Sequence, residues 1–327
     1  MYVDRSNGMK KVFFGTVFIV FLFFGVGTES YPDGVYTVIP LDIRDFHPEQ
    51  EMSVFDINNR GQVLFGSSSQ TYIWTDHNAN WQMEYNEIMI LFNPLFGSIG
   101  VDINNKGNAI GMDIYYSLPE GSIGLFWVNG DLEETIRFRD LSVSVLNAIN
   151  DHDQIVGDLH LYSGHGTLLS RSGFLWQNSK EIPLSTPSIH VSTASDINNQ
   201  GQIVGTSSLG PYIWQDQNDN QISDEEDFWD LDVPFTPSFI NDNGCIIGMG
   251  SDTKTIYLFQ DHNQNRRVES DEVNSLNQNT DFLLIGISGF NNRNQVVGNL
   301  LYKGNEPYHA FILREGEIID LNTVITP

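Results

Sequence analysis

Ile57-Asn58-Asn59-Arg60-Gly61-Gln62-Val63 is one of six copies of a phrase; the others begin at Ile103, Ile149, Ile197, Ile240 and Phe290. The spacings are 46, 46, 48, 43 and 50 residues, which makes the phrase a period and the chain a repeat protein. Asn stands second in every copy (Asn58, Asn104, Asn150, Asn198, Asn241, Asn291), and Asn or Asp stands third. The fifth position is Gly61, Gly107, Asp153, Gly201, Gly244 and Asn294. Gly, Asn and Asp are the residues that tolerate positive φ, so this slot is expected to turn left-handed. The preceding Asx side chains can close the turn onto the backbone. Each phrase therefore reads as strand end, turn and strand start.

Working outward, the strand after each turn is short and β-branched and closes on Gly111, Gly157, Gly205, Gly248 and Gly298, with Phe65-Gly66 in the first copy. A third strand follows and ends on bulk: Tyr72-Ile73-Trp74, Leu125-Phe126-Trp127, Phe174-Leu175-Trp176, Tyr212-Ile213-Trp214, Tyr257-Leu258-Phe259 and Phe311-Ile312-Leu313. A fourth strand often ends in Asp-Leu, at Asp140-Leu141, Asp230-Leu231 and Asp320-Leu321. No stretch beyond the N-terminal segment holds a 3.6-residue period, so little helix is expected. Four short strands in about 45 residues is the arithmetic of a propeller blade. The fold expected is all-β, a six-bladed β-propeller over residues 31–327, with repeats starting near 53, 99, 145, 192, 236 and 286. The bulky third-strand residues should fill the space between blades. A lone strand at Val35 to Ile43 resembles a fourth strand and is a candidate to tie the ends of the ring. An open stack or a pair of packed sheets is the alternative architecture, and seven blades the alternative number.

The first 30 residues are read apart from the fold. Lys10-Lys11 precede the apolar run Val12 to Gly27, with Thr28 and Ser30 after it, in the order of a secretory signal peptide. The run is short of the about 20 residues of a comfortable span. An uncleaved anchor stays open because no Ala-x-Ala site is present. The destination expected is extracellular or periplasmic, with no membrane insertion once the leader is cut. Without the leader, 13 basic and 40 acidic residues remain, a charge near −27. That excludes nucleic acid and anionic membranes as natural partners and makes divalent cations plausible company. Cys245 is alone, so no intrachain disulfide forms, and a buried thiol is expected.

The last repeat reads Tyr308-His309-Ala310-Phe311-Ile312-Leu313, then Gly316-Glu317-Ile318-Ile319-Asp320-Leu321. With the Ile-Asn-x-x-Gly-Gln pattern complete from Ile197 to Gly205, the chain resembles the extracellular HAF-repeat family. The resemblance spans all six repeats, though His-Ala-Phe itself occurs once. It implies an exported repeat protein and carries no catalytic residues to transfer.

Three loops after the third strand share a spacing. Asp76, Asn78, Asn80, Glu84 and Glu87 form the first, and Asp216, Asn218, Asn220, Asp224 and Asp227 the second. Asp261, Asn263, Asn265, Glu269 and Glu272 form the third. Oxygen side chains fall at positions 1, 3, 5, 9 and 12 of twelve, the calcium-loop spacing, and hard oxygen donors suit structural calcium. Position 6, normally Gly, is Trp81, Gln221 and Arg266. Asn80, Asn220 and Asn265 are expected to take up the tight turn, and polar hairpins without metal are the alternative.

Repeats two, three and six instead lengthen the opposite hairpin, which carries Tyr115, Tyr116, His160, Tyr162, His165 and Tyr302. Aromatics on loops can stack on sugars or anchor a protein partner, and ordinary hairpin packing is the plain alternative. Catalytic signatures are wanting: there is no Gly-x-Ser-x-Gly and no His-Glu-x-x-His, and His160 with His165 is a weak metal spacing. The expected function is a monomeric, non-enzymatic secreted scaffold for a protein or glycan. The alternative is a carbohydrate-active propeller, a glycosidase or polysaccharide lyase.

Overall fold

A computed structural model describes residues 52–67, 69–80, 82–93, 97–113, 123–137, 142–163, 165, 167–189, 192–252, 254–277, 282–302 and 309–324, with the paired two-residue strands Tyr2–Val3 and Val12–Phe13. The rest of the leader, the lone strand at Val35 to Ile43, Trp81, Tyr115, Tyr116 and Asp140-Leu141 lie outside the described residues. Six antiparallel four-stranded sheets follow one another, each from one contiguous stretch paired in simple sequence order. They are the six blades of a β-propeller. Among the described residues, helix is confined to Leu321–Val324 and two 3₁₀ turns, Tyr85–Glu87 and Glu225–Asp227.

The first strand of each blade packs against the first strand of the next, from Ser53–Ile57 through Ser98–Ile103, Ser142–Ile149, Ser192–Ile197 and Phe235–Ile240 to Phe282–Phe290. These strands are therefore the innermost, and the fourth strands form the rim. Every first strand carries a β-bulge ahead of the phrase, as between Ala194 and Asp196. The bulge pushes a carbonyl toward the closing glycine opposite. At Gly205 a Cβ would stand 1.8 Å from the Thr193 carbonyl oxygen, so no side chain fits there. In the second blade the fourth strand runs Asp131–Ile136, paired with Gly124–Val128.

Apolar clusters join consecutive blades. Trp127 with Leu64 and Ile73 fills the space between the first two, and Trp214 with Val156 and Leu175 that between the third and fourth. Both tryptophans are fully buried. Each contributes about 4–6 kcal/mol of gross apolar burial, before ordering costs. Ile110 with Phe174, Ile213 with Phe259 and Ile247 with Phe311 lie in the clusters of the remaining interfaces up to the sixth blade. Val63 and Trp74 of the first blade and Ile312 and Leu321 of the sixth belong instead to two separate clusters. Among the described residues no hydrogen bond runs from the sixth blade to the first.

Candidate functional site

The repeated Asn is the linchpin of the ring. Asn198 Nδ2 donates to Gln202 Oε1 at 2.8 Å and to the Asn241 carbonyl of the next blade at 3.0 Å. Its Oδ1 accepts the backbone N–H groups of Gln200 and Gln202. Both amide hydrogens and both lone pairs are thus used, which Asp (no donors) or Ser (too short) could not reproduce. The same cross-blade bond is made by Asn58 to Asn104, Asn104 to Asn150, Asn150 to Asn198 and Asn241 to Asn291, at 2.8 to 3.0 Å. Among the described residues, Asn291 in the last blade donates only to its own Gln295.

The fifth position turns left-handed in all six copies, with φ of 74°, 86°, 60°, 74°, 72° and 58°. Its two non-Gly residues have a reason. The second hydrogen of each Asn amide goes to the Gln at the sixth position (Gln62, Gln154, Gln202, Gln295). Asn108 and Cys245 occupy that position in repeats two and five. There Asn104 donates forward to Asp153 Oδ1 and Asn241 to Asn294 Oδ1. The next repeat supplies the oxygen that its predecessor lacks. Asp153 is buried against ionisation, yet the bonds from Lys106, Asn108 and Asn104 hold its pKa below the ordinary carboxylate value. The third position adds a second arc of bonds, with Asn199 Nδ2 donating to both Asp151 and Asp242.

Sequence reading missed one set of residues. Asp precedes the phrase in repeats one, two and four (Asp56, Asp102, Asp196), and the bulge aims all three between innermost strands. Asp56 accepts the N–H of Ile103, Asp102 that of Ile149, and Asp196 that of Ile240, each in the following blade. The signal was an acid in three of six equivalent slots filled otherwise by Ala148, Phe239 and Gly289. Burial pushes Asp196 up to about 8, with the Asp102 charge adding to the rise. Burial also raises Asp56 well above its usual range, helped by the charge of Asp102 and a hydrogen bond between the two carboxyl groups.

The three acidic loops have one common design. The position-12 carboxylates Glu87, Asp227 and Glu272 are buried and accept the position-2 N–H groups of His77, Gln217 and His262 at 2.9 to 3.0 Å. Asp216 and Asp261 accept N–H groups from positions 5 and 6. The amide nitrogens of Asn78, Asn80, Asn220, Asn263 and Asn265 donate to the position-9 carboxylates Glu84, Asp224 and Glu269. The tight turn is taken not by Asn80, Asn220 or Asn265 but by their neighbours. Ala79, Asp219 and Gln264 have φ of 56° to 58°, and Gln221 and Arg266 at position 6 have 57° and 59°. The position-5 side chains instead accept the N–H two residues on, which holds their own backbone right-handed or extended. Among the described residues no group of three His, Cys, Asp or Glu side chains is arranged to hold a metal.

On the opposite hairpins, His160 and Tyr162 are half-buried on the strand Ile155–Tyr162 and His165 is exposed in the turn after it. Burial and the Arg171 cation lower the His160 pKa, against the pull of Asp158. Tyr302 belongs to a different cluster in the sixth blade. Its hydroxyl donates to Asp320 Oδ2 at 3.1 Å, which also bonds His309 Nδ1 at 2.6 Å. Cys245 is buried, and burial raises its thiol pKa.

No family model and no curated protein matches the chain. Among solved structures it is similar to oligopeptidase B from Leishmania major at 10% identity and TM-score 0.52, over 90% of this chain and 44% of that one. It is also similar to the β-propeller domain of the trilobed protease from Pyrococcus furiosus (13% identity, TM-score 0.49, covering 83% and 84% of the two chains). YCF48 from Cyanidioschyzon merolae follows at 9% identity and TM-score 0.45, covering 88% of each. The chain spans less than half the length of the peptidase. At such identities the likeness is one of fold alone.

Proposed function

We propose that the chain is a secreted propeller of the HAF-repeat kind, working as a monomeric, non-enzymatic binding scaffold. The observation that supports it is where the repeat's polar side chains go. The phrase Asn residues, the third-position Asx arc and the aspartates Asp56, Asp102 and Asp196 bond from one blade to the next. Such side chains hold loops rather than attack substrates, and a rigid ring bearing variable loops is the usual design of a binding module. Calcium fits the reading as a stiffener of the three acidic loops, since Asp216 and Asp261 keep lone pairs beyond their N–H bonds. Amide rotation at Asn220 and Asn265 would turn their oxygens toward a cation.

A second reading, a carbohydrate-active enzyme, draws on Asp56 and Asp102, since glycoside hydrolysis needs two carboxyl groups of which one is held protonated, and burial raises the pKa of Asp56. One experiment separates the two. Purified protein is incubated with a panel of neutral and acidic polysaccharides and new reducing ends or unsaturated products are measured. Product formation abolished by Asp102→Asn overturns the scaffold. Absence of product with retention on an immobilised glycan or protein supports it.

A further inference from the structure

The fourth residue of the phrase is Arg60, Lys106, His152, Gln200, Asn243 and Arg293. In four of the first five copies this side chain reaches the next blade. Arg60 donates to the carbonyls of Asn105 and Lys106, and the Lys106 ammonium binds Asp153 at 2.8 Å. Gln200 donates to the Asp242 carbonyl at 2.9 Å and Asn243 to that of Asn292 at 2.7 Å. His152 makes no such bond among the described residues, and the Asn199 carbonyl, counterpart of those of Asn105, Asp242 and Asn292, receives none. At that spot, between the third and fourth blades, lies a cavity of about 290 Å³ lined by His152, Gln154, Gln177, Asn178, Asn199 and Gln200.

The lining defines the ligand's chemistry. Gln154 Nε2 donates to Gln177 Oε1, which leaves the Gln177 amide nitrogen, the Asn178 side chain and the His152 ring without partners among the described residues. No carboxylate lines the cavity, so a cation gains little there. An anion would meet a protein of net charge −26. An apolar group would leave these amides unpaired. Hydroxyl groups, each both donor and acceptor, match a mix of amide N–H, amide oxygen, imidazole and carbonyl. The pocket is open to solvent at His152, Asn178 and Gln200, and its volume, just under the roughly 300–1,000 Å³ of drug-sized sites, matches one small ring. Resting on the binding-scaffold reading above, we propose that this cavity between the third and fourth blades binds a single neutral sugar ring through its hydroxyl groups.

The test uses the whole protein and saturation-transfer NMR, with D-glucose, D-galactose, D-mannose and N-acetyl-D-glucosamine as separate probes and inorganic phosphate as a control. His152→Arg copies Arg60, so it should fill the cavity and restore the cross-blade bond. The expected result is transfer to at least one sugar, weakened about tenfold or more in His152→Arg, the equivalent of one or two hydrogen bonds. Its melting temperature should be unchanged or raised. Asn178→Gly, which keeps the turn's positive φ of 51° while removing the amide, gives a second variant should the first fold poorly. No transfer from any sugar, equal binding by both variants, or binding of phosphate in place of sugar overturns the assignment. Turnover of a bound sugar would sink the non-enzymatic reading instead. A captured glycan or protein partner with an empty response to all four sugars would leave that reading standing and sink this one.

Discussion

Replacing the repeated Asn by Asp should be costly in one copy and cheap in another, because among the described residues the Asn of the sixth blade makes no cross-blade bond. Asn198→Asp keeps the oxygen that accepts the N–H groups of Gln200 and Gln202 and loses both donors. The Gln202 amide can flip and donate its nitrogen to the new carboxylate, repairing one of the two lost bonds. The Asn241 carbonyl has no such freedom and is left facing a buried carboxylate oxygen. A stranded buried acceptor costs about 1–3 kcal/mol, and a charge facing it adds to that, so about 2–4 kcal/mol is expected. In Asn291→Asp the only donor bond among the described residues is to Gln295, which can flip in the same way. Less than about 1 kcal/mol is expected there, for one reoriented bond at a half-buried site. Both variants add one negative charge, so the general repulsion of an acidic protein cancels in the comparison. Urea denaturation at neutral pH, with unfolding slopes compared to confirm a common transition, measures both. Equal losses in the two variants would refute the claim that the cross-blade bond is what the Asn provides.

Gly201→Val should cost about 1–3 kcal/mol from backbone strain alone, since φ is 74° and the nearest atom to a Cβ, Gln154 Oε1, is an ordinary 3.6 Å away; an unchanged melting temperature would mean the turn is not left-handed. Asp153→Gly should destabilise by leaving the second amide hydrogen of Asn104 without an acceptor, and Asn108→Gln should rescue it, with a coupling of about 1 kcal/mol in a double-mutant cycle; additive effects would break the compensation argument. Asp196 is protonated up to about 8 in the fold and only to about 4 when unfolded, so folding takes up a proton between those values and this group's stabilisation fades as pH rises through that window. Asp196→Asn should therefore flatten the fall in melting temperature between pH 5 and 9, and an identical pH profile would count against it. Millimolar calcium should raise stability, by about 2.7 kcal/mol at a hundredfold excess over its dissociation constant, and less so in Asp216→Asn with Asp261→Asn; a flat calorimetric titration would leave the loops as hairpins held by their own amides.

The blades were legible because their information is local. A left-handed turn needs Gly, Asn or Asp at one slot, and alternating apolar residues with a bulky end mark the strands beside it. All six turns and all six third strands fall where that reasoning puts them. The partners of Asn198 were not legible, because no feature of repeat four says that its amide will meet a carbonyl in repeat five. Asp56, Asp102 and Asp196 escaped for the same reason. An acid next to Ile looks like a solvated strand end until the bulge turns it toward the next blade. In the acidic loops the spacing read correctly as one shared design, but Asn265 was given the strained backbone that Gln264 and Arg266 hold. The Asx side chain stabilises the turn from its middle, and the left-handed residues flank it.

A period this regular also gives its departures a meaning, provided each is followed into the structure. Asn108 breaks the Gln pattern at the sixth position, and Asp153 one repeat later breaks the Gly pattern at the fifth. The two departures cancel, since the second supplies the oxygen that the first withdrew. Cys245 and Asn294 repeat the same exchange. Those residues are variations in how the ring is held and need no ligand to explain them. His152 departs from Arg60, Lys106, Gln200 and Asn243 in a different way. The cross-blade bond is lost, no described residue replaces it, and a polar cavity stands in its place. Selection for stability alone would fill that cavity with an arginine, as in the first repeat. An uncompensated departure that costs a hydrogen bond between blades is what a binding site built into a repeat should look like, and His152→Arg puts that inference to the proof in a single substitution.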